Sequence, residues 1–200
     1  MKLLKVIPDN PNERFIDMAV DALNNGRLII YPTDTLYALG CDALNNNAVE
    51  EICKIKGIKS EKTNLSIICE SISQAAEYSR INNVVFALMK NNLPGPFTFI
   101  LPALSQLPKA FKKRKAVGIR IPDNNIAMEL VKKLGHPIMT TSIKYDDDDY
   151  GCEPELIAEN YTNMVDVIID AGRGNLTPST IVDCTTDEYE ITREGKGILQ

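Results

Sequence analysis

The sequence predicts an α/β fold, with a twisted mixed sheet of about seven strands flanked by helices. Patterns typical of helices and of strands alternate along the chain. Several connections between predicted strands are too short for a crossover helix, so some strand pairs are expected to be antiparallel. The chain has 200 residues, of which 44% are hydrophobic and 24% charged, and it contains no repeat or linker. These values are typical of one folded domain covering residues 1–200.

The first predicted helix follows Pro8, with Asn10 as its N-cap and Pro11 at its first position. Apolar residues then recur at helical spacing up to Leu23, and Gly26 provides a natural end. Similar patterns predict three further helices, which are a short one around Val49–Cys53 closed by Gly57, Asn83–Lys90 and Asn125–Leu134.

The predicted strands are short apolar runs bounded by turn residues. Arg27–Tyr31 is one of them, and Pro32 ends it. The other runs with this character are Leu65–Cys69, Phe97–Leu101, Val117–Ile121, Pro137–Thr141, Asp166–Asp170, Thr180–Asp183 and Tyr189–Arg193.

Composition excludes several classes of protein. No apolar run approaches the roughly 18 residues of a membrane span, and the first residues are too polar for a secretory signal, so a cytoplasmic location is expected. The cysteines are odd in number and never closer than 12 residues, which argues against a disulfide framework or a zinc ribbon. His136 is the single histidine and is predicted to lie in a surface turn, so neither a Ser-His-Asp triad nor a multi-histidine metal site is expected.

Charge is distributed unevenly along the chain, although the net value is only −5. The window from Lys54 to Lys62 holds four lysines against one acid, and the window from Lys109 to Arg120 holds six basic residues and no acid. Brought together, the two windows would form a positive patch that attracts phosphates. The alternative is that they are two lysine-rich loops in solvent.

Three segments carry polar groups where an α/β protein commonly places its site. Thr33, Asp34 and Thr35 follow the first buried strand, where they either cap the next element or bind a small polar ligand. Arg120 lies in an otherwise apolar strand, so it requires an anionic partner from the protein or from a ligand. Hydroxyls and a lysine also follow a strand at Met139–Lys144.

The acidic run Asp146–Asp149 comes directly after that third segment. Consecutive carboxylates point in different directions, so an exposed loop is a better interpretation than a metal site. Negative charge at this position would repel phosphates unless Mg²⁺ intervened.

Together these segments resemble the YrdC-like family, which includes the L-threonylcarbamoyladenylate synthases of t6A tRNA modification. The resemblance extends over nearly the whole chain, with a further likeness to the YciO branch in Pro8–Pro11 and Arg120–Asn124. The chain is expected to lack the C-terminal domain of the longer synthases. The matching segments are Pro32–Gly40, Pro94–Thr98, Val117–Pro122, Thr141–Ser142, Ser179–Asp183 and Arg193–Gly195.

This resemblance implies a sheet with a positively charged concave face that binds ATP, threonine and bicarbonate. In the reaction of these synthases, threonine carbamate attacks the α-phosphate of ATP and expels pyrophosphate. Mg²⁺ is expected to accompany ATP and to bridge phosphate oxygens, with no metal site made of protein ligands alone. The alternative implied by the family is a module without catalysis that binds double-stranded RNA, tRNA or the ribosome on the same face. No oligomeric state is implied.

The resemblance also assigns residues to these ligands. The threonine side is expected to contain Thr35, Arg120 and Ser179. The nucleotide and phosphate side is expected to contain Lys56, Lys59, Ala116, Ser142, Lys144 and Arg193. The basic run expected to contact RNA is Lys109, Lys112, Lys113, Arg114 and Lys115.

Two positions depart from the pattern of the active synthases. Lys59 stands where the family has an arginine, and lysine lacks the planar fork that binds phosphate with two parallel hydrogen bonds. Lys144 stands where the family has an asparagine, and lysine cannot accept a hydrogen bond from a ligand. Weakened synthase activity is therefore expected, with the anion-binding cavity retained.

Overall fold

A computed structural model describes residues 1–57, 65–107, 109–112, 115–143 and 147–200, apart from the side chains of Ala110 and Lys112. Across these ranges, ten strands form one mixed sheet in the order β1-β8-β2-β3-β7-β4-β6-β5-β9-β10. The strands are β1 (Lys2–Lys5), β2 (Ile29–Tyr31), β3 (Ala38–Asp42), β4 (Ser66–Ile68), β5 (Phe97–Pro102), β6 (Ala116–Arg120), β7 (Ile138–Ser142), β8 (Val167–Asp170), β9 (Thr180–Asp183) and β10 (Glu190–Arg193).

The helices pack on both faces of the sheet. They are α1 (Glu13–Asn24), α2 (Asn46–Ile55), α3 (Ile72–Tyr78), α4 (Asn83–Asn92), α5 (Lys109–Lys112), α6 (Asn125–Leu134), α7 (Asp149–Cys152) and α8 (Pro154–Tyr161). The predicted cap of the first helix is wrong, because Asn12 rather than Asn10 accepts the backbone N–H of Arg14. The residues from Ile7 to Asn10 form a turn instead, and only Asn12 separates Pro11 from α1.

Two apolar clusters form because successive residues of a strand point to opposite faces. Ile67 of β4 and Met139 of β7 point into the larger cluster, against α2, α3, α4 and α8. Ile68 and Ile138 point the other way, into the smaller cluster beneath α1 and α6. The two helices of that second face contact each other, and Lys133 of α6 pairs with Glu13 and Asp17 of α1.

The prediction of a mixed α/β sheet is confirmed, but the strand count of about seven is wrong. Four of the strand pairings are parallel and five are antiparallel. The pattern missed β1, which is only four residues long, and β3, which is Ala-Leu-Gly-Cys-Asp and contains no β-branched residue. Burial between two neighbouring strands forms β3 despite its weak intrinsic preference.

The five cysteines and His136 are buried or half-buried. Cys41, Cys69, Cys152 and Cys184 are buried free thiols, and Cys53 is half-buried. His136 is half-buried rather than on an open turn, with its Nδ1 3.2 Å from Asp42 Oδ1. Of the helices described, none is long and apolar enough to cross a membrane.

Candidate functional site

A cavity of about 510 Å³ opens on the face of the sheet that α1 and α6 share. Those helices cover the side near β8 and β2, and the cavity occupies the part over β7, β4, β6, β5 and β9. Among the described residues, its charged lining consists of Arg120, Arg193 and Asp183. Most of its polar lining is hydroxyl, from Thr35, Ser66, Thr98, Thr140, Thr141, Ser142, Ser179 and Thr192.

Strand register fixes the floor of this cavity. One row of paired residues crosses it, formed by Thr140, Ser66, Gly118, Ile100 and Asp183. Gly118 leaves the floor open, because a Cβ there would lie 2.4 Å from Ser66 Oγ and 3.0 Å from Thr98 Cγ2. Arg120 lies two residues beyond this row in one direction, and Ser142 lies two residues beyond it in the other. At about 3.3 Å per residue, the two ends are about 13 Å apart along the strands.

Arg120 forms a buried ion pair with Asp34, whose Oδ1 accepts from Nη2 at 2.8 Å. The two side chains are only 10% and 7% exposed. Nη2 also donates to Thr35 Oγ1 at 3.0 Å. Burial lowers the pKa of Arg120, and the Asp34 carboxylate opposes that shift. Within the described chain, Nε of Arg120 is buried and has no acceptor.

Hydroxyl hydrogen bonds orient Thr35. Thr33 Oγ1 donates to Leu36 O at 2.6 Å, so it accepts from the Thr35 hydroxyl at 3.1 Å. The Thr35 hydroxyl in turn accepts from Arg120. The segment after β2 therefore serves as a turn and as one wall of the cavity, and binding of a small polar ligand there stays a prediction.

Ser179 and Arg193 form the opposite wall at the same end. Ser179 Oγ lies 2.8 Å from Thr98 Oγ1, and Arg193 Nη2 donates to Ser179 Oγ at 3.2 Å. Two further bonds from Arg193 reach Ser179 O, at 2.7 and 3.1 Å. Burial lowers the pKa of Arg193, and the positive charge of Arg120 lowers it further. By register Arg193 pairs with Ile181, so its strand position is on the Arg120 side of the central row and not on the Ser142 side.

Only some of the residues predicted for the nucleotide side lie together at the Ser142 end of the cavity. Lys56 Nζ donates to Ser142 O at 2.6 Å, which brings these two together. Ala116 is half-buried on β6 and does not line the cavity. Lys59 and Lys144 lie outside the described residues.

The basic run is described only at its two ends. Lys109 and Lys115 are exposed. Lys113 and Arg114 lie outside the described residues, as does the side chain of Lys112.

The acidic run is not a simple exposed loop in its described part. Asp147, Asp148 and Asp149 are all exposed as predicted, and Asp149 begins α7. Ligand atoms of Asp149, Cys152 and Glu153 lie within 4.8 Å of one another, an arrangement that can hold a metal. However, Arg173 pairs with both of these carboxylates and offsets one of their two negative charges.

Several residues around the cavity, among them Asp183, Gly118, Ser66 and Thr98, were not predicted from the sequence as parts of a site. Asp183, Gly118 and Thr98 lie within the segments that carry the family resemblance, which is a signal the sequence offered for them. Ser66 and Thr98 face the cavity because their strands alternate, which needs a known register.

Comparisons with known proteins show the family to which the chain belongs. The family profile for Sua5, YciO and YrdC proteins, described as "Telomere recombination", matches residues 21–195. The chain belongs to this family.

Its similarity extends to members with and without a named activity. It is 40% identical to YciO of Escherichia coli, and the match covers 95% of this chain and 93% of YciO. The crystal structure of E. coli YciO superposes with a TM-score of 0.91 and covers 98% of this chain and 97% of that one. It is 27% identical to the threonylcarbamoyl-AMP synthase of Serratia proteamaculans over 84% and 91% of the two chains. Sua5 of Pyrococcus abyssi, crystallised with L-threonine, gives 28% identity and a TM-score of 0.87, and the match covers 98% of this chain and 58% of Sua5. The chain is thus related to the threonylcarbamoyl-AMP synthases.

Proposed function

We propose that the cavity binds L-threonine and ATP together and forms threonylcarbamoyl-AMP from them and bicarbonate. The observation that carries this proposal is the unpartnered, buried Nε of Arg120, a residue that lines the cavity. A buried donor without an acceptor costs about 1–3 kcal/mol, and a ligand carboxylate would remove that cost. Related proteins include named threonylcarbamoyl-AMP synthases and a Sua5 crystallised with threonine, which supports threonine as the source of the carboxylate.

The arrangement of the cavity supports two ligands side by side. Thr35, Arg120 and Ser179 surround the end proposed for threonine, and Ser142 with Lys56 marks the end proposed for the nucleotide. Arg193 touches Ser179, so a phosphate joined to the amino acid would meet its guanidinium. A volume of about 510 Å³ is within the range of pockets that enclose small-molecule ligands.

The proposed chemistry has two steps. The threonine nitrogen attacks the carbon of bicarbonate, and loss of water leaves a carbamate. A carbamate oxygen then attacks the α-phosphorus of ATP, a new P–O bond forms, and the bond to pyrophosphate breaks. Arg193 and Lys56 are proposed to stabilise the charge that moves onto the phosphate oxygens, since fixed cations lower such barriers in a cavity with little water.

ATP in this role is proposed to carry Mg²⁺. Among the described residues, Asp183 is the carboxylate that lines the cavity. One carboxylate with hydroxyl neighbours suits Mg²⁺, which commonly takes one or two protein carboxylates together with phosphate oxygens and water. When bound, the metal would withdraw negative charge from the phosphates.

Release of pyrophosphate tests this function. The wild-type protein is expected to release pyrophosphate from ATP only when threonine and bicarbonate are both present. Arg120→Ala removes the donor to the threonine carboxylate and should abolish that release. Arg173→Ala is the matched control, because it deletes an exposed arginine away from the cavity and should leave release unchanged. Release that is equal in Arg120→Ala and the wild type would contradict the proposal.

A second candidate function is binding of double-stranded RNA or tRNA through the basic run, although Phe111 of α5 packs into the larger cluster on the sheet face opposite the cavity. Its support is the basic run, of which Lys109 and Lys115 are exposed. Duplex RNA is recognised largely by shape and backbone charge, so the affinity should fall steeply with salt. Neutralising Lys112, Lys113 and Arg114 should flatten that salt dependence. An affinity that does not change with salt would rule out this alternative.

A further inference from the structure

Two arginines face the cavity, and their electrostatic surroundings differ. Arg120 is paired with the buried carboxylate of Asp34. Arg193 donates its described hydrogen bonds to Ser179, and it makes no ion pair with any described residue. One guanidinium is therefore neutralised inside the protein, and the other presents its full charge to the cavity.

We infer that Asp34 is a positioning residue that makes the Arg120 end select a single-charged carboxylate and reject a phosphate dianion, leaving phosphate to Arg193. This inference rests on the proposed function and names which arginine takes which anion. Asp34 acts through Arg120 and does not itself line the cavity.

Three contacts hold Asp34 in this role. Its Oδ1 accepts from Arg120 Nη2, and its Oδ2 accepts from the backbone N–H of Asp123 at 3.2 Å. Its backbone carbonyl accepts from Lys196 Nζ at 2.7 Å. These contacts come from two segments, the end of β6 with the residues just after it and the C-terminal segment, and they hold the carboxylate beside Arg120.

The remaining donors of Arg120 explain the selectivity. Nη2 has two N–H groups, and Asp34 and Thr35 use both of them. A ligand therefore meets Arg120 through single N–H groups such as Nε, and the paired fork that binds carboxylate and phosphate alike is not offered, so the charge of the ligand decides between them. A dianion would also bring its second negative charge close to Asp34, whereas zwitterionic threonine brings only one negative charge.

Competition between inorganic phosphate and L-threonine, measured by calorimetry, tests the inference. Phosphate should hardly displace threonine from the wild-type protein. In Asp34→Asn the side chain is similar in size but uncharged, and Arg120 regains its full charge. Phosphate should then compete with threonine at least about tenfold better, a change of about 1.4 kcal/mol. In Arg193→Gln phosphate binding should be lost while threonine still binds.

Asp123→Asn is the matched control, since it removes one exposed negative charge nearby and keeps the backbone N–H that Asp34 accepts. It should compete like the wild type. If Asp34→Asn weakens threonine and phosphate in parallel, Asp34 has only a structural role and the inference is wrong. If the wild type binds no threonine, the proposed function fails as well, so the two failures are distinguishable.

A measurement on the wild type keeps the inference testable if Asp34→Asn does not fold. Acetate and sulfate are compared as competitors of threonine at equal ionic strength. Acetate should compete better although it carries less charge. Stronger competition by sulfate would overturn the inference.

Discussion

At the scale of single residues, Tyr37 shows how a buried polar group is kept in the fold. Its ring is almost fully buried beneath the cavity, and its hydroxyl donates to Gly172 O at 2.8 Å and accepts from Ala171 N at 3.1 Å. Gly174 allows the chain to pass close to the ring, since a Cβ there would lie 2.6 Å from Tyr37 Cδ2. The side chain thus ties the cavity wall to the segment after β8.

Tyr37→Phe should lower the free energy of unfolding at pH 7 by about 0.5–1.5 kcal/mol, because the tyrosine hydroxyl loses its hydrogen bonds to half-buried Ala171 and exposed Gly172. Burial raises the pKa of Tyr37 to about 12 in the folded protein. The neutral hydroxyl is therefore favoured by folding, and its contribution is complete below the ordinary tyrosine value near 10 and is lost as the pH rises towards 12.

Urea unfolding at pH 7 and at alkaline pH measures both effects. The variant should lose less stability than the wild type between pH 10 and 12. Tyr189→Phe, at an exposed tyrosine, is the control and should match the wild type. Equal stability of Tyr37→Phe and the wild type at pH 7 would contradict this role.

The position of Arg120 in an apolar strand predicted that it needs an anionic partner, but it did not identify that partner. The protein itself supplies it from Asp34, 86 residues earlier in the chain. Short-range sequence patterns cannot identify a partner so far away in the chain, because the contact depends on how the turn after β2 folds over the sheet. The predicted threonine, nucleotide and RNA roles of the named residues stay predictions.

At the scale of elements, the cavity exists because β6 carries a glycine in its middle. Gly118 pairs with Ser66 of β4 and with Ile100 of β5. Any larger side chain would fill the floor between Ser66 and Thr98. The strand therefore gives up side-chain packing at this position and gains an open surface.

Gly118→Ala should destabilise the protein by about 1–3 kcal/mol, because overpacking forces neighbouring atoms to move. Threonine binding should weaken in the same variant. Adding Ser66→Ala removes the nearest atom, Ser66 Oγ, and should recover part of the stability. Thermal unfolding of both single variants and the double variant gives the coupling energy. Additive effects of the two substitutions would contradict the proposed close contact.

Helices with a clear apolar stripe were predicted well, and weakly patterned elements were not. The predicted range Asn125–Leu134 agrees with α6, whose cap Asn124 accepts the N–H of Ala127. β3 was not predicted because its residues have little intrinsic preference for a strand. It forms through its pairing with β2 and β7. Short helices such as α7 lack the length that makes a helical period visible.

At the scale of the whole molecule, the two faces of the sheet are covered to different extents. One face is sealed by the larger apolar cluster under α2, α3, α4 and α8. The other is covered by α1 and α6 over only part of its width, which leaves polar side chains in a concave opening. Family membership, the fold and the relation to the threonylcarbamoyl-AMP synthases follow from the sequence and the comparisons together.

The central claim is that one cavity joins threonine, bicarbonate and ATP. The most direct measurement is mass spectrometry of the nucleotide product formed by the wild-type protein from ¹³C-bicarbonate, threonine, ATP and Mg²⁺. The account predicts threonylcarbamoyl-AMP carrying one ¹³C atom, and no such product from Arg120→Ala. Absence of labelled adduct from a folded wild-type protein that binds both threonine and ATP would contradict it.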